Sequence, residues 1–114
     1  MRGATSIPED TSDAIRDGTA ELLREVIARN DLVVGDLVSI IFTTTEDLSA
    51  DFPAVAAREI GLSTVPLLCT REIPVPGALG MCVRVLVHCY APVERIMRHV
   101  YLHGARQLRT DLPE

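Results

Sequence analysis

The run Met81 to Tyr90, MCVRVLVHCY, constrains this chain more than any other stretch, because an apolar, β-branched segment is interrupted at its centre by a guanidinium. Such a composition predicts a strand. Side chains of a strand leave alternate faces, which puts Cys82, Arg84, Leu86 and His88 on one side and Met81, Val83, Val85, Val87 and Cys89 on the other. Arg84 must then be accommodated inside a sheet. An unpaired guanidinium withdrawn from water costs several kcal/mol, so a carboxylate, a ligand or water has to stand in front of it. Two readings are open: a structural salt bridge, with Glu72 as the acid, or an anion anchor facing a cavity.

The flanking segments predict the remaining elements. Arg2 to Ile7 reads as a short strand ended by Pro8. Asp10, Thr11 and Ser12 offer N-caps to a helix whose apolar stripe is Ile15, Thr19, Leu22, Leu23, Val26 and Ile27, stopping at Asn30-Asp31. Leu37 to Thr44 is a buried strand followed by a polar loop, Thr45 to Asp51, with the character of a functional loop. Phe52-Pro53 opens a short helix that Gly61 ends. Val65 to Cys69 is a strand in which Pro66 demands an edge or a first position. Glu72 to Gly80, with its prolines and glycines, is irregular backbone. Pro92 to Met97 reads as a helical turn, His99 to Leu102 as a last strand, and Arg106 to Glu114 as a polar tail. The mixture lacks a regular β-α alternation, so the expected fold is α+β: one domain over residues 1–114, with a mixed sheet of about five strands and two main helices.

The chain carries more apolar character, 47% with a mean hydropathy of +0.22, than a 114-residue domain hides by itself, which points to oligomerisation. A membrane span is not expected, since Leu37 to Phe42 and Val83 to Val87 fall far short of the roughly 18 apolar residues required. Met1 to Thr5 has no apolar signal core, and the three cysteines Cys69, Cys82 and Cys89 form no C-x-x-C pair, so a reducing, cytoplasmic setting is expected. His88, Cys89, His99 and His103 match no familiar zinc spacing, and no metal is expected. A net charge of −5 disfavours nucleic acid. All eleven cationic side chains are arginine, each a planar fork suited to a small carboxylate ligand.

Glu72 stands at the mouth of the Pro/Gly loop, as a site residue or as a solvated carboxylate. Arg2 opens the first strand as a ligand contact or a surface cation, and Tyr101 is a ligand contact or a core ring whose hydroxyl finds a partner. No phosphate loop, dinucleotide fingerprint or nucleophile elbow is present. A dyad of Cys69 with His88 or His99 remains open, but buried thiols and ordinary histidines are the simpler reading.

Taken together, these residues resemble the small monofunctional chorismate mutases of the AroH class. The resemblance runs through Arg2-Gly3-Ala4-Thr5, Asp47-Leu48, Phe52-Pro53-Ala54, Arg58-Glu59, Val65-Pro66, Cys69, Glu72, Cys82, Arg84-Val85, His99-Val100-Tyr101-Leu102, Leu108-Arg109 and Asp111-Leu112. It implies a cofactor-free isomerase turning chorismate into prephenate, built as a homotrimer, a pseudo α/β-barrel with sites at subunit interfaces. By the same resemblance, Arg2 and Arg84 hold substrate carboxylates and Arg84 also donates to the breaking ether oxygen. Glu72 and Cys69 meet the ring hydroxyl, and Tyr101 bonds near a carboxylate. Phe52, Ala54, Arg58 and Leu108 line or cover the pocket, with Phe52 and its neighbours supplied by the adjacent subunit. Val55 and Leu68 stand where relatives can carry polar residues, so altered affinity is expected. Two rivals share some of these features: a RidA-like imine deaminase with an interfacial arginine, and a non-catalytic module binding an aromatic metabolite.

Overall fold

The predicted apolar segments become one five-stranded sheet in a computed structural model that describes residues 1–111; Leu112 and the end of the predicted tail lie outside them. The strands are β1 (Arg2–Ser6), β2 (Leu37–Thr44), β3 (Leu67–Arg71), β4 (Cys82–Cys89) and β5 (Val100–Leu102). Their spatial order is β3-β2-β4-β1-β5. β4 runs antiparallel to both β1 and β2, whereas β1 with β5 and β2 with β3 are parallel, so the sheet is mixed as expected.

Two helices, α1 (Ser12–Arg29) and α2 (Ala54–Glu59), pack on one face. Thr11 caps α1 by accepting from the Ala14 N–H, and the stripe of Ile15, Thr19, Leu22, Leu23 and Val26 is buried. Leu22, Leu23 and Val26 meet Ile40 and Phe42 from β2, Val85 and Val87 from β4, and Val100 from β5 in the main core. The alternation of β4 is the predicted one, and its Val83, Val85, Val87 side is the core side. Arg84, Leu86 and His88 therefore project from the other face, which α1 and α2 leave uncovered; a short 3-10 helix, His103–Gln107, packs there only at the Ala4, Cys82 and Tyr101 end. Arg84 is central in the sheet but not sealed, its side chain retaining 41% of its accessible surface.

Two boundaries also differ. β3 starts at Leu67 because Pro66 has no N–H to give; its carbonyl accepts from Ile40 instead, and the strand occupies the sheet edge. Pro92 to Met97 is not a helical turn beyond a single bend, where the Arg95 N–H reaches the Pro92 carbonyl at 3.0 Å. The buried Asn30 amide holds the following backbone extended, accepting from the Arg98 N–H at 2.6 Å and donating to the Arg98 carbonyl at 3.0 Å.

Gly3 marks a tight crossing of the core, bounded by backbone as well as side chains. A Cβ there would lie 3.1 Å from the Val100 carbonyl oxygen and from a Val85 methyl, and 3.2 Å from a Leu22 methyl. Gly35 is surrounded by open space. Removing a glycine restricts the unfolded chain in both cases, so crowding decides the sign. Gly3→Ala is expected to destabilise by on the order of 1–3 kcal/mol, while Gly35→Ala is neutral or slightly stabilising; urea denaturation of the two variants checks the contrast.

Candidate functional site

The uncovered face carries its polar groups in a row. Register pairs Arg84 with Thr43 of β2 on one side and Ala4 of β1 on the other, and Ala4 in turn with Tyr101 of β5. Paired residues point to the same side, so Thr43, Arg84, Ala4 and Tyr101 line up across four strands. Ala4 itself is fully buried, packed with Cys82, Tyr101 and Ala105. The neighbouring row sets Ile41, Leu86 and Arg2 side by side. A cleft of about 290 Å³ lies over these rows, and Arg2, Thr43, Glu72, Arg84, Tyr101 and Arg109 are among the residues lining it.

Glu72 enters from just beyond β3, where its N–H bonds the Thr44 carbonyl at 2.9 Å and turns the chain toward the open face. Its Oε1 lies 2.9 Å from Arg84 Nε and accepts from the Thr43 hydroxyl at 2.5 Å. The Nε–H does not point along the first contact, so Arg84 and Glu72 attract as charges without an aligned hydrogen bond. Both readings of Arg84 are therefore realised at once: it pairs with Glu72 and it faces a cavity. A pair this open to solvent contributes only about 0–1 kcal/mol to folding, which leaves stability a weak reason for its presence.

The cleft is electropositive although the chain is acidic overall. Arg2, Arg84 and Arg109 face a single carboxylate, Glu72, with Asp111 holding Arg109 through two contacts of 3.0 and 2.9 Å. The Arg2 backbone N–H donates to His99 Nδ1 at 2.9 Å. Burial first, then the nearby Arg2 charge, depresses the His99 pKa below its ordinary value, so the ring accepts this bond in its neutral form. Cys82, on the same strand face as Arg84, is buried, and that burial pushes its thiol pKa up while the guanidinium pulls it down.

The structure separates the remaining predicted residues from this cleft. Cys69 pairs in register with Phe42 and so points to the helical side of the sheet, the side opposite Arg84. It lines a second cleft of about 320 Å³ with Leu48, Phe52 and Arg71. Arg71 Nη1 ties that wall together by donating to Thr44 Oγ1, the Thr45 carbonyl and the Leu48 carbonyl. Asp10 accepts from the Ser49 and Ala50 N–H groups, which hold its carboxyl below the usual range. The polar loop is thus a braced shelf, and it presents Phe52 with 67% of its surface exposed. Ala54 is packed in the core, so its methyl is not offered to a ligand. Arg58 is exposed near the end of α2 and lines neither cleft. Leu108 packs against the cluster containing Tyr101 and Ala4.

A wider cleft of about 610 Å³ is lined by Glu9, Asp13, Asp17, Glu21 and His103, a charge that repels a carboxylate ligand. The four residues weighed for zinc are dispersed: His88 bonds Ser39, His99 bonds Arg2 and His103 bonds Glu21, and among the described residues no three such groups gather for a metal. The residues that sequence reasoning missed are Thr43 and Arg109. Thr43 becomes visible only once β2 and β4 are registered, whereas Arg109 was in plain view beside Leu108 but carried no signal separating it from a tail cation.

Known proteins resemble this chain over nearly its whole length. The family described as chorismate mutase type I matches residues 1–112. The chain is 48% identical over 115 residues to "Chorismate mutase AroH" of Thermus thermophilus, spanning 98% of this chain and 93% of that one. It is 41% identical over 115 residues to the protein of the same name from Bacillus subtilis (strain 168), spanning 98% and 90%. A solved chorismate mutase from Clostridium thermocellum superposes with a TM-score of 0.90 at 44% identity, covering 94% of this chain and 96% of the other.

His99 gives the site a defined acid limit. Its folded pKa lies below the unfolded value of about 6.5, so the stability contributed by the neutral ring is complete above that pH and is lost as pH falls through the folded value. Protonation also sets a new cation beside Arg2 and Arg109. Denaturation midpoints measured from neutral pH downward should fall across this window, and His99→Asn, which keeps an acceptor but does not titrate, should flatten that part of the curve.

Proposed function

The chain belongs to the type I chorismate mutases, and from that membership we propose that Arg84, Glu72, Arg2 and Tyr101 form the wall on which its substrate reacts. The activity is the isomerisation of chorismate to prephenate, a step of aromatic amino acid biosynthesis. The observation that carries the assignment is the meeting of three arginines, a carboxylate and a tyrosine in one cleft of the uncovered sheet face.

The reaction is an intramolecular rearrangement in which a carbon–oxygen bond breaks as a carbon–carbon bond forms. No proton is exchanged with the protein and no covalent bond to it is made. Two tasks remain for the enzyme: holding the substrate compact, so that its reacting carbons approach, and setting fixed donors where negative charge grows on the ether oxygen. Arg84 is suited to the second task because strand β4 and its neighbours fix its origin, and its fork can grip a carboxylate and the ether oxygen together. Arg2 grips the other carboxylate, Glu72 receives the ring hydroxyl and Tyr101 bonds near a carboxylate.

The active unit in this reading is a homotrimer. A cleft of about 290 Å³, open to solvent, is at the small end for a ligand site and does not enclose a substrate by itself. The second cleft, with Phe52 and Cys69, supplies the missing wall from an adjacent subunit. Exposed apolar side chains, including Leu68, Ile73 and Leu86, support burial against other copies. Arg58 would act from the same neighbouring subunit, with Leu108 closing over Tyr101 and Ala54 contributing only through its backbone. Free cysteines at Cys69, Cys82 and Cys89 support a cytoplasmic site for the reaction.

Mixing the purified protein with chorismate should deplete its ultraviolet absorbance without any added cofactor, and an absence of turnover would overturn the assignment. Arg84→Lys keeps the charge but loses the fork; it should lower kcat by at least about 100-fold, the loss typical of removing one oxyanion donor. Near-normal turnover by that variant would rule out Arg84 as the donor to the ether oxygen.

A further inference from the structure

We infer that Thr43 is a positioning residue for the reaction, holding Glu72 in the orientation that leaves one carboxylate oxygen for the substrate. The inference rests on the chorismate mutase reading and adds to it a residue whose contribution is made entirely through another side chain.

The geometry is specific about which oxygen is occupied. The Thr43 hydroxyl donates to Glu72 Oε1 at 2.5 Å, and Arg84 Nε lies 2.9 Å from that same oxygen. Among the described residues, neither a hydrogen bond nor an ion pair falls on Oε2. A carboxylate offers acceptor sites on both oxygens, so one is anchored to the protein and the other is left for a donor in the cleft. The ring hydroxyl of the substrate is a donor of that kind.

The anchor itself is stiff. Thr43 lies between Phe42 and Thr44, both buried, in the strand that pairs with β3 and β4. A β-branched side chain in a strand has restricted χ1 freedom, so the position of the hydroxyl follows from the backbone. Glu72, by contrast, stands outside regular structure, beyond the end of β3 and before the Pro/Gly loop. Its own backbone does not determine where the carboxylate points. Arg84 cannot do so alone either, because its Nε–H is misaligned with Oε1. Thr43 supplies the aligned bond, and as the register partner of Arg84 it fixes the acid and the arginine relative to each other.

The test compares wild type, Thr43→Val, Thr43→Ser, Glu72→Gln and the Thr43→Val/Glu72→Gln double variant by kcat and KM on chorismate, with thermal melts alongside. Valine keeps the shape and loses the hydroxyl. Thr43→Val should lower kcat by about 10-fold, the scale of a hydrogen bond to a charged group. KM and the melting temperature should change much less, and Thr43→Ser should recover most of the loss. In the Glu72→Gln background the valine substitution should have little further effect, because the two residues act as a unit. Equal losses in both backgrounds, no loss in Thr43→Val, or a loss that tracks melting temperature would each overturn the inference while leaving the chorismate mutase reading intact. An inactive wild type would overturn both. Should the valine variant not fold, Thr43→Ala against Thr43→Ser gives the same comparison.

Discussion

The contact between Arg84 and Glu72 is the constraint around which the rest of this protein is arranged. A guanidinium in the middle of a five-stranded sheet has to be placed on one face or the other, and the core cluster on the face that packs against α1 and α2 holds hydrophobic side chains and no carboxylate. The alternation of β4 resolves the conflict. Val83, Val85 and Val87 go to the core, and Arg84 goes to the face away from α1 and α2. Once there, the cation needs a counter-charge that does not neutralise its use. Glu72 meets that need because it approaches from a loop and stands beside Nε at 2.9 Å, while Arg84 still lines the cleft.

That division of the sheet also accounts for the apolar surplus of the sequence. A small domain with helices on both faces could bury its Leu and Val side chains internally. In this chain one face must remain open to house the arginines, so Ile41 and Leu86 are partly or largely uncovered in the isolated subunit. In the proposed homotrimer, association would meet two requirements together: removing apolar surface from water, and bringing the Phe52 and Cys69 shelf of one chain toward the arginine row of another. The bracing of that shelf by Arg71 and Asp10 is consistent with a wall that has to be in place before substrate arrives.

Much of this was legible in the sequence, for physical reasons that differ by element. The α1 stripe and the β4 alternation were readable because periodicity reports directly which side chains share a face. Pro66 correctly announced an edge strand, since a missing N–H is a local fact. Pro92 to Met97 was legible only in part: one turn forms at Pro92, and the backbone at Arg98 beyond it is tied to the Asn30 amide, a distant contact of which a local pattern carries no trace. The site was legible in its charged members and illegible in its arrangement. Arg84 stood out against its strand, and Glu72 against its loop. That Cys69 leaves the opposite face of the sheet from Arg84 follows only from strand register, which sequence spacing does not reveal. Ala54 was drawn into the site by resemblance, and the core claims its side chain.

A carboxylate beside a site for an anionic substrate calls for an explanation in its own right. At about 4 Å and an effective dielectric near 20, two like charges repel by about 4 kcal/mol, enough to empty the site if nothing opposed it. The opposition is visible in the row across the sheet. Arg84 and the Thr43 hydroxyl both converge on Oε1, so the negative charge of Glu72 is drawn toward the sheet and partly neutralised there. Arg2 and Arg109 then tip the balance of the cleft toward anions. What remains of Glu72 toward the cavity is an acceptor, able to select a hydroxyl donor and orient it. In the proposed site, specificity would come from the acid and charge stabilisation from the arginines. The two roles can coexist because Arg84 is fixed on β4 while Thr43, on the neighbouring β2, holds Glu72, which enters from the loop beyond β3.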